Sequence, residues 1–210
     1  MIIPSSLSVK QIVEGVPSIL RPGGPHAPNT FTQSGFVPGD LRSFNITKSD
    51  TCTSSKANVK SIVGFYLDFD LKDWRLAEAG FDKSSAEGIK LVADLKNMSD
   101  DERDAALNDH LQIVLAAIGE AVGVEPTYIT CTGGGFHVGY WYAGIIEKTA
   151  ASTDMVEAYT KAINTFINEQ FVHPSIDSVR VCADPACADI SRNERDIGSV
   201  KASTSYPTSL

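Results

Sequence analysis

The sequence predicts an α+β fold, α/β-like in its alternation of elements, and three observations carry that prediction. An apolar, β-rich run from Ser61 to Asp70 precedes a long amphipathic helix whose start has capping-box spacing. Two short apolar runs, 127–132 and 136–142, flank a triple glycine and read as a hairpin. A further helix, a short strand and a last helix then complete the order strand, helix, hairpin, helix, strand, helix.

In order along the chain, Leu7, Ile12, Val13, Val16 and Leu20 are spaced for a short helix within 5–20, and Arg21-Pro-Gly-Gly-Pro25 ends it. Residues 27–60 are rich in Ser, Thr, Asn, Pro and Gly and read as loops with room for two short strands. Ser61-Ile-Val-Gly-Phe-Tyr-Leu-Asp-Phe-Asp70 alternates near its end and is expected to be a core strand. A short helix is expected within 83–97. Ser99-Asp-Asp-Glu102 then opens a helix to about Val122, which Gly123 closes. After the hairpin, Ser152 or Thr153 begins a helix to Gln170, 178–183 is a short strand, and Pro185 starts a helix to about Arg195.

At 210 residues the chain can bury one good core or two small ones. A hydrophobic content of 42% and a charged content of 21% are ordinary for a globular protein. No apolar run approaches the roughly 20 residues that span a bilayer, and the start lacks the basic-then-apolar order of a secretion signal. Cys52, Cys131, Cys182 and Cys187 form no disulfide framework, so a reducing cytoplasm is expected, with Cys182 and Cys187 as buried structural thiols. The net charge of −8 argues against nonspecific binding of nucleic acid. Its distribution is uneven: Asp100, Asp101, Glu102 and Asp104 load one helix start, whereas Arg180, Arg192, Arg195 and Lys201 lie near the C-terminus.

Three constellations carry chemistry. In Tyr66-Leu-Asp68-Phe-Asp70 the two acids are two apart on a strand, so they project from one face. Adjacent anions at the end of an apolar strand are tolerated when a divalent cation bridges them, and carboxylate oxygens suit Mg²⁺ and Mn²⁺. The bland alternative is a pair of solvent-facing acids at a strand end. Asp68, Asp70 and Asp73 lack the glycine and terminal glutamate of an EF-hand loop. In Thr132-Gly-Gly-Gly135-Phe-His137, Gly134 and Gly135 would let a ligand approach the main chain, and His137 would meet its phosphate. The alternative is a glycine-rich hairpin with an incidental histidine. In Cys182-Ala-Asp184-Pro-Ala-Cys-Ala-Asp189-Ile-Ser-Arg192-Asn-Glu-Arg195, Asp184 precedes the expected helix, and Asp189, Arg192 and Arg195 lie on it with the arginines on one face. A surface ion-pair ladder is the alternative there.

Asp-x-Asp on a strand, then a Gly-Gly-x-His hairpin, then an aspartate before Arg-x-x-Arg-x-x-Gly-Ser resembles the archaeo-eukaryotic primase superfamily. The nearest likeness is to the primase-polymerase domains of phage and plasmid replication proteins, over residues 61–201. The resemblance implies a primase fold with an RRM-like catalytic sheet flanked by helices. It implies that Asp68 and Asp70 bind metal, that His137 contacts a nucleotide triphosphate, and that Asp184, or alternatively Asp189, is the third carboxylate. Arg192, Arg195 and Lys201 would meet phosphates. Two Mg²⁺ or Mn²⁺ ions about 3.5–4 Å apart would serve nucleotidyl transfer. The partners implied are single-stranded DNA template, primer and an NTP or dNTP. Residues 1–60 fall outside the likeness, and 202–210 are expected to lead, as a linker, to a helicase domain. This sequence has no proline before Gly198, and Gly135 stands where relatives often have serine. A metal-dependent glycosyltransferase and an inactive DNA-binding module are the competing expectations.

Overall fold

The computed structural model describes residues 41–43, 45–47, 55–172 and 181–195. Its elements are β1 (Leu41–Ser43), β2 (Ile46–Thr47), β3 (Val59–Asp70), α1 (Leu71–Ala79), α2 (Ala86–Lys96), α3 (Asp100–Val122), β4 (Tyr128–Cys131), β5 (Gly135–Glu147), α4 (Ala150–Glu169) and β6 (Asn193–Arg195). Single 3-10 turns lie at Lys56–Asn58 and Pro185–Ala188. The fold is mixed α+β. An antiparallel sheet runs in the order β2-β3-β5-β4, and β1 pairs separately with β6. Among the described residues no helix is long and apolar enough to cross a membrane.

β3 organises the sheet through its period-two pattern. Phe65, Leu67 and Phe69 lie opposite Tyr140, Val138 and Phe136 of β5, while Tyr66, Asp68 and Asp70 lie opposite Gly139, His137 and Gly135. The first set is buried in one core with Leu107, Leu111 and Val114 of α3 and Ile163 and Ile167 of α4. Each of these side chains contributes roughly 1.5–3 kcal/mol by leaving water. The helices therefore cover one face of the sheet, and the acids are carried on the other.

The long helix forms as its signals predict. The Ser99 hydroxyl accepts from the Glu102 N–H, the Glu102 carboxylate accepts from the Ser99 N–H, and Gly123 ends the helix at φ 70°. Thr149 rather than Ser152 caps α4, with Ser152 as its reciprocal partner. α1 was not predicted from the sequence; Asp70 stands at its N-cap but its side chain makes no cap hydrogen bond. Tertiary contacts start it instead: the Leu71 N–H donates to the Gly134 carbonyl at 2.8 Å, and Leu71 and Trp74 are buried.

The C-terminal part departs from expectation. The helix predicted over 185–195 is a 3-10 turn followed by β6, so Asp189, Arg192 and Arg195 do not share a helical face. Asp189 accepts from both the N–H and the hydroxyl of Ser191 at 2.7 Å, a local bond that competes with helix continuation. β6 then finds its partner in β1, with Arg195 opposite Leu41. Of the predicted strand 178–183, only an isolated bridge from Ala183 to Phe69 is formed by the described residues. The helix expected within 5–20 lies outside the described residues.

His110 is a buried titratable group in this core. Its ring stacks parallel on Trp74 with centroids 4.9 Å apart, and neither ring nitrogen has a hydrogen-bond partner among the described residues. Burial pulls its pKa down to about 3, with Asp70 opposing and Arg75 adding to the fall. The folded state thus keeps His110 neutral where the unfolded chain, near 6.5, takes up a proton. Stability from this group is fully present above about pH 6.5 and falls by about 1.4 kcal/mol per pH unit below it. Denaturant titrations at pH 7 and pH 4.5 should therefore show wild type losing about 2–3 kcal/mol more than His110→Phe. Equal losses would refute the burial of a neutral imidazole.

Candidate metal centre

Asp68 is positioned by the middle of the sheet. It lies beside His137 in the β3–β5 register, and His137 lies beside Thr130 of β4. His137 Nε2 is 3.6 Å from Asp68 Oδ1, and its ring packs on Tyr66 with centroids 5.2 Å apart. The histidine picked out by sequence thus faces the first carboxylate across one pair of strands.

Asp184 reaches the same place from far along the chain. Ala183 bridges to Phe69, and the Asp184 N–H donates to the Asp68 carbonyl at 2.8 Å. The outer side of this segment is held by Asn168 of α4. Its amide donates to the Ala183 carbonyl at 2.9 Å and accepts from the Ala183 N–H at 2.8 Å. Asn168 therefore does for Ala183 what a further strand would do. Asp184 Oδ1 caps the following turn by accepting from the Ala186 N–H at 2.9 Å.

That turn brings in a third group. Cys187 Sγ lies 3.9 Å from Asp68 Oδ2 and 3.9 Å from Asp184 Oδ2. Donor atoms of Asp68, Asp184 and Cys187 all fall within 4.8 Å of one another. Burial pushes the Cys187 thiol well above its ordinary pKa, and the two carboxylates push it further. It is therefore a neutral thiol at neutral pH, between two acids. Cys187 is buried as expected, but it stands inside the candidate site, and Cys182 is only half-buried. Two carboxylates held this close by main-chain bonds repel each other, and their oxygens are the donors that a hard divalent cation takes. The residues present fit one such ion.

Asp70 is placed differently. It shares the face of Asp68, but its carboxylate is paired with the Lys72 ammonium, which also reaches Asp73 at 3.2 Å. Burial disfavours the charge on Lys72, yet Asp70 and Asp73 outweigh it and hold the pKa above the usual lysine value.

Comparison of the chain with protein-family models, with curated proteins and with solved structures finds no match in any of the three. The site's geometry therefore stands on its own.

The glycine loop serves the protein's own backbone. Gly133 turns the chain at φ 72°, the Gly134 carbonyl receives the Leu71 N–H, and a Cβ on Gly135 would stand 1.9 Å from the Phe69 carbonyl oxygen. The close approach that Gly135 allows is thus of β3. Arg103, 3% exposed, steadies the loop by donating to the Gly133 carbonyl at 3.3 Å and to the Leu95 carbonyl at 2.9 Å.

The remaining candidates are spread out. Arg192 donates through Nε to the Ala186 carbonyl at 2.6 Å, and its charge is felt at both Cys187 and Asp189. Arg195 lies in β6, and Lys201 lies outside the described residues. Asp189 is engaged by Ser191 and by Lys56 at 3.6 Å. Partial burial works to raise its pKa, but the Ser191 bonds and the Lys56 and Arg192 charges keep it below the ordinary value. Cys187, Lys72, Asn168 and Arg103 were not selected from sequence as parts of the site. Cys187 was set aside with Cys182 for want of a second ligand pair, and a lone Lys, Asn or Arg carries no spacing signal that would single it out.

Of the two aspartates left open by spacing, Asp184 is the one beside Asp68. Mn²⁺ titration monitored by the resonance of the free ion should show at least about tenfold weaker binding in Asp184→Asn, because one charged ligand is lost. Asp189→Asn should stay within about twofold of wild type. The reverse ranking would assign the site to Asp189.

Proposed function

We propose that this chain is a template-dependent nucleotidyltransferase, a DNA primase and polymerase that acts on single-stranded DNA in phage or plasmid replication. On this reading its α+β fold is a primase fold, its RRM-like sheet carries the site, and it works in the host cytoplasm beside a helicase region. The observation that carries the proposal is the meeting of Asp68 and Asp184, 116 positions apart in the chain, beside His137 on one sheet face. They belong to the three motifs whose order suggested the primase superfamily.

In the proposed reaction Asp68 and Asp184 would hold one Mg²⁺ or Mn²⁺, and the resemblance gives Asp70, now paired with Lys72, a part in holding a second. Bound there, such ions would supply charge that lowers the pKa of the attacking hydroxyl and offsets charge on the departing pyrophosphate. The protein's own part is positioning. The main-chain bond from Asp184 to Asp68 sets the two carboxylates before substrate arrives, so little reorganisation accompanies reaction. His137, beside Asp68, would donate to a phosphate oxygen of the substrate. Arg192, on the exposed rim, adds positive potential for triphosphate or template.

The test is incorporation of labelled nucleotides on single-stranded DNA, with and without primer, in Mg²⁺ and in Mn²⁺. Template-directed products are expected, and synthesis without primer marks the primase. Asp68→Ala and Asp184→Ala should each cost about 4 kcal/mol or more of transition-state stabilisation, roughly a thousandfold in rate. Residual activity within tenfold of wild type would sink the assignment. Sugar transfer with no template dependence would replace it by a glycosyltransferase, and DNA binding without incorporation by an inactive replication module.

A further inference from the structure

Cys187 is the member of the convergent set with Asp68 and Asp184 that the proposed chemistry leaves without a part. Its Sγ lies 3.9 Å from Asp68 Oδ2 and 3.9 Å from Asp184 Oδ2, and a single thiol proton serves one of these oxygens at a time. The other oxygen of each carboxylate is turned to the protein. Asp184 Oδ1 accepts from the Ala186 N–H at 2.9 Å, and Asp68 Oδ1 faces His137 Nε2 at 3.6 Å. The sulfur is hydrogen-bonded by the Tyr66 side chain and feels the Arg192 charge. Tyr66 and Cys187 are both more than nine-tenths buried. Outer partners of this kind orient the ligands of a metal ion. The 3-10 turn supplies the spacing: side chains three apart eclipse in it, which brings Asp184, at its N-cap, and Cys187 to one side. Two ligands separated by two residues is also the spacing of chelating pairs in zinc sites. A tetrahedral ion about 2.3 Å from a sulfur and about 2.1 Å from an oxygen holds those atoms roughly 3.6 Å apart. Both separations here come within a few tenths of an ångström of that.

We infer that Cys187 is a third ligand of the ion held by Asp68 and Asp184, and that this set of two oxygens and one sulfur selects Zn²⁺ over Mg²⁺. This rests on the reading of Asp68 and Asp184 as a metal site and not on the reaction proposed for it. Carboxylates alone suit Mg²⁺, which keeps to oxygen ligands. Sulfur is a donor that Zn²⁺ binds strongly, so its presence turns the preference. Coordination exchanges the S–H bond for a sulfur–metal bond, and the proton leaves to water. Burial, then the two carboxylates, hold that proton on the sulfur, and the same carboxylates attract the cation that displaces it. Three protein ligands leave a fourth tetrahedral position to water or substrate.

The experiment is a Co²⁺ titration of the full chain at neutral pH without nucleotide, read from the absorption spectrum and independent of catalysis. Co²⁺ substitutes for Zn²⁺ in tetrahedral sites, and a bound thiolate gives it a sulfur-to-metal charge-transfer band. Wild type should develop this band to saturation at one equivalent. Cys182→Ser should keep it, and Cys187→Ser should lose it. One equivalent of Zn²⁺ should bleach the band, whereas Mg²⁺ in about hundredfold excess should leave it. The cadmium NMR resonance of wild type needs no variant, and one sulfur ligand should place it well downfield of an all-oxygen site. Saturable Co²⁺ binding without the band, a band that survives Cys187→Ser, bleaching by Mg²⁺ or an all-oxygen cadmium shift would each overturn the inference. Absence of saturable Co²⁺ binding would remove the metal site with it. The incorporation assay separates the two ideas. Template-directed products without the band remove only the role of Cys187, whereas the band without products removes only the proposed reaction.

Discussion

The hydrogen bond from the Asp184 N–H to the Asp68 carbonyl is a single main-chain contact, yet the candidate site depends on it. It joins a residue after α4 to the strand that began the core, and it sets the backbones from which the two carboxylates converge. Among the described residues β2 pairs with β3 only at Val59 and Ser61, which leaves the Phe69 end of that strand edge for the Asp184 segment. Asn168 then satisfies the outer side of Ala183, the side away from its bridge to Phe69.

β3 divides the molecule's labour by alternation. Phe65, Leu67 and Phe69 supply the apolar burial that holds α3 and α4, while Tyr66, Asp68 and Asp70 carry the chemistry on the reverse side. A one-residue slip of β3 against β5 would turn the acids into the helical core. The buried cluster on one face thus enforces where the carboxylates point on the other. The glycines beside the site serve the same end. Gly135 lets β5 close on Phe69, and Gly139 leaves the space that the Tyr128 ring fills.

Charge is balanced locally even though the whole chain carries −8. The pairings differ in kind: Asp68 and Asp184 meet around a neutral thiol, Asp70 meets Lys72, and Asp189 meets Lys56. Acids with cationic side chains on them are already compensated. An external cation between Asp68 and Asp184 would relieve the repulsion of two converging carboxylates.

The strand at Ser61–Asp70, the capped helix from Ser99, the hairpin about Gly133–Gly135 and the shared face of Asp68 and Asp70 were all legible in the sequence. Each rests on local chemistry: period two, a reciprocal cap, a backbone turn that glycine permits. Helix α1, the turn in place of a C-terminal helix, the choice of Asp184 over Asp189 and the capture of Asp70 by Lys72 were not. These were decided by partners remote in the chain or by competition between nearby groups. Gly134 starts α1 from 63 residues away, Phe69 and Asn168 place Asp184, and Leu41 draws Arg195 into a strand. A sequence pattern records which face a residue prefers, whereas the neighbour it meets there is set only when the whole chain packs.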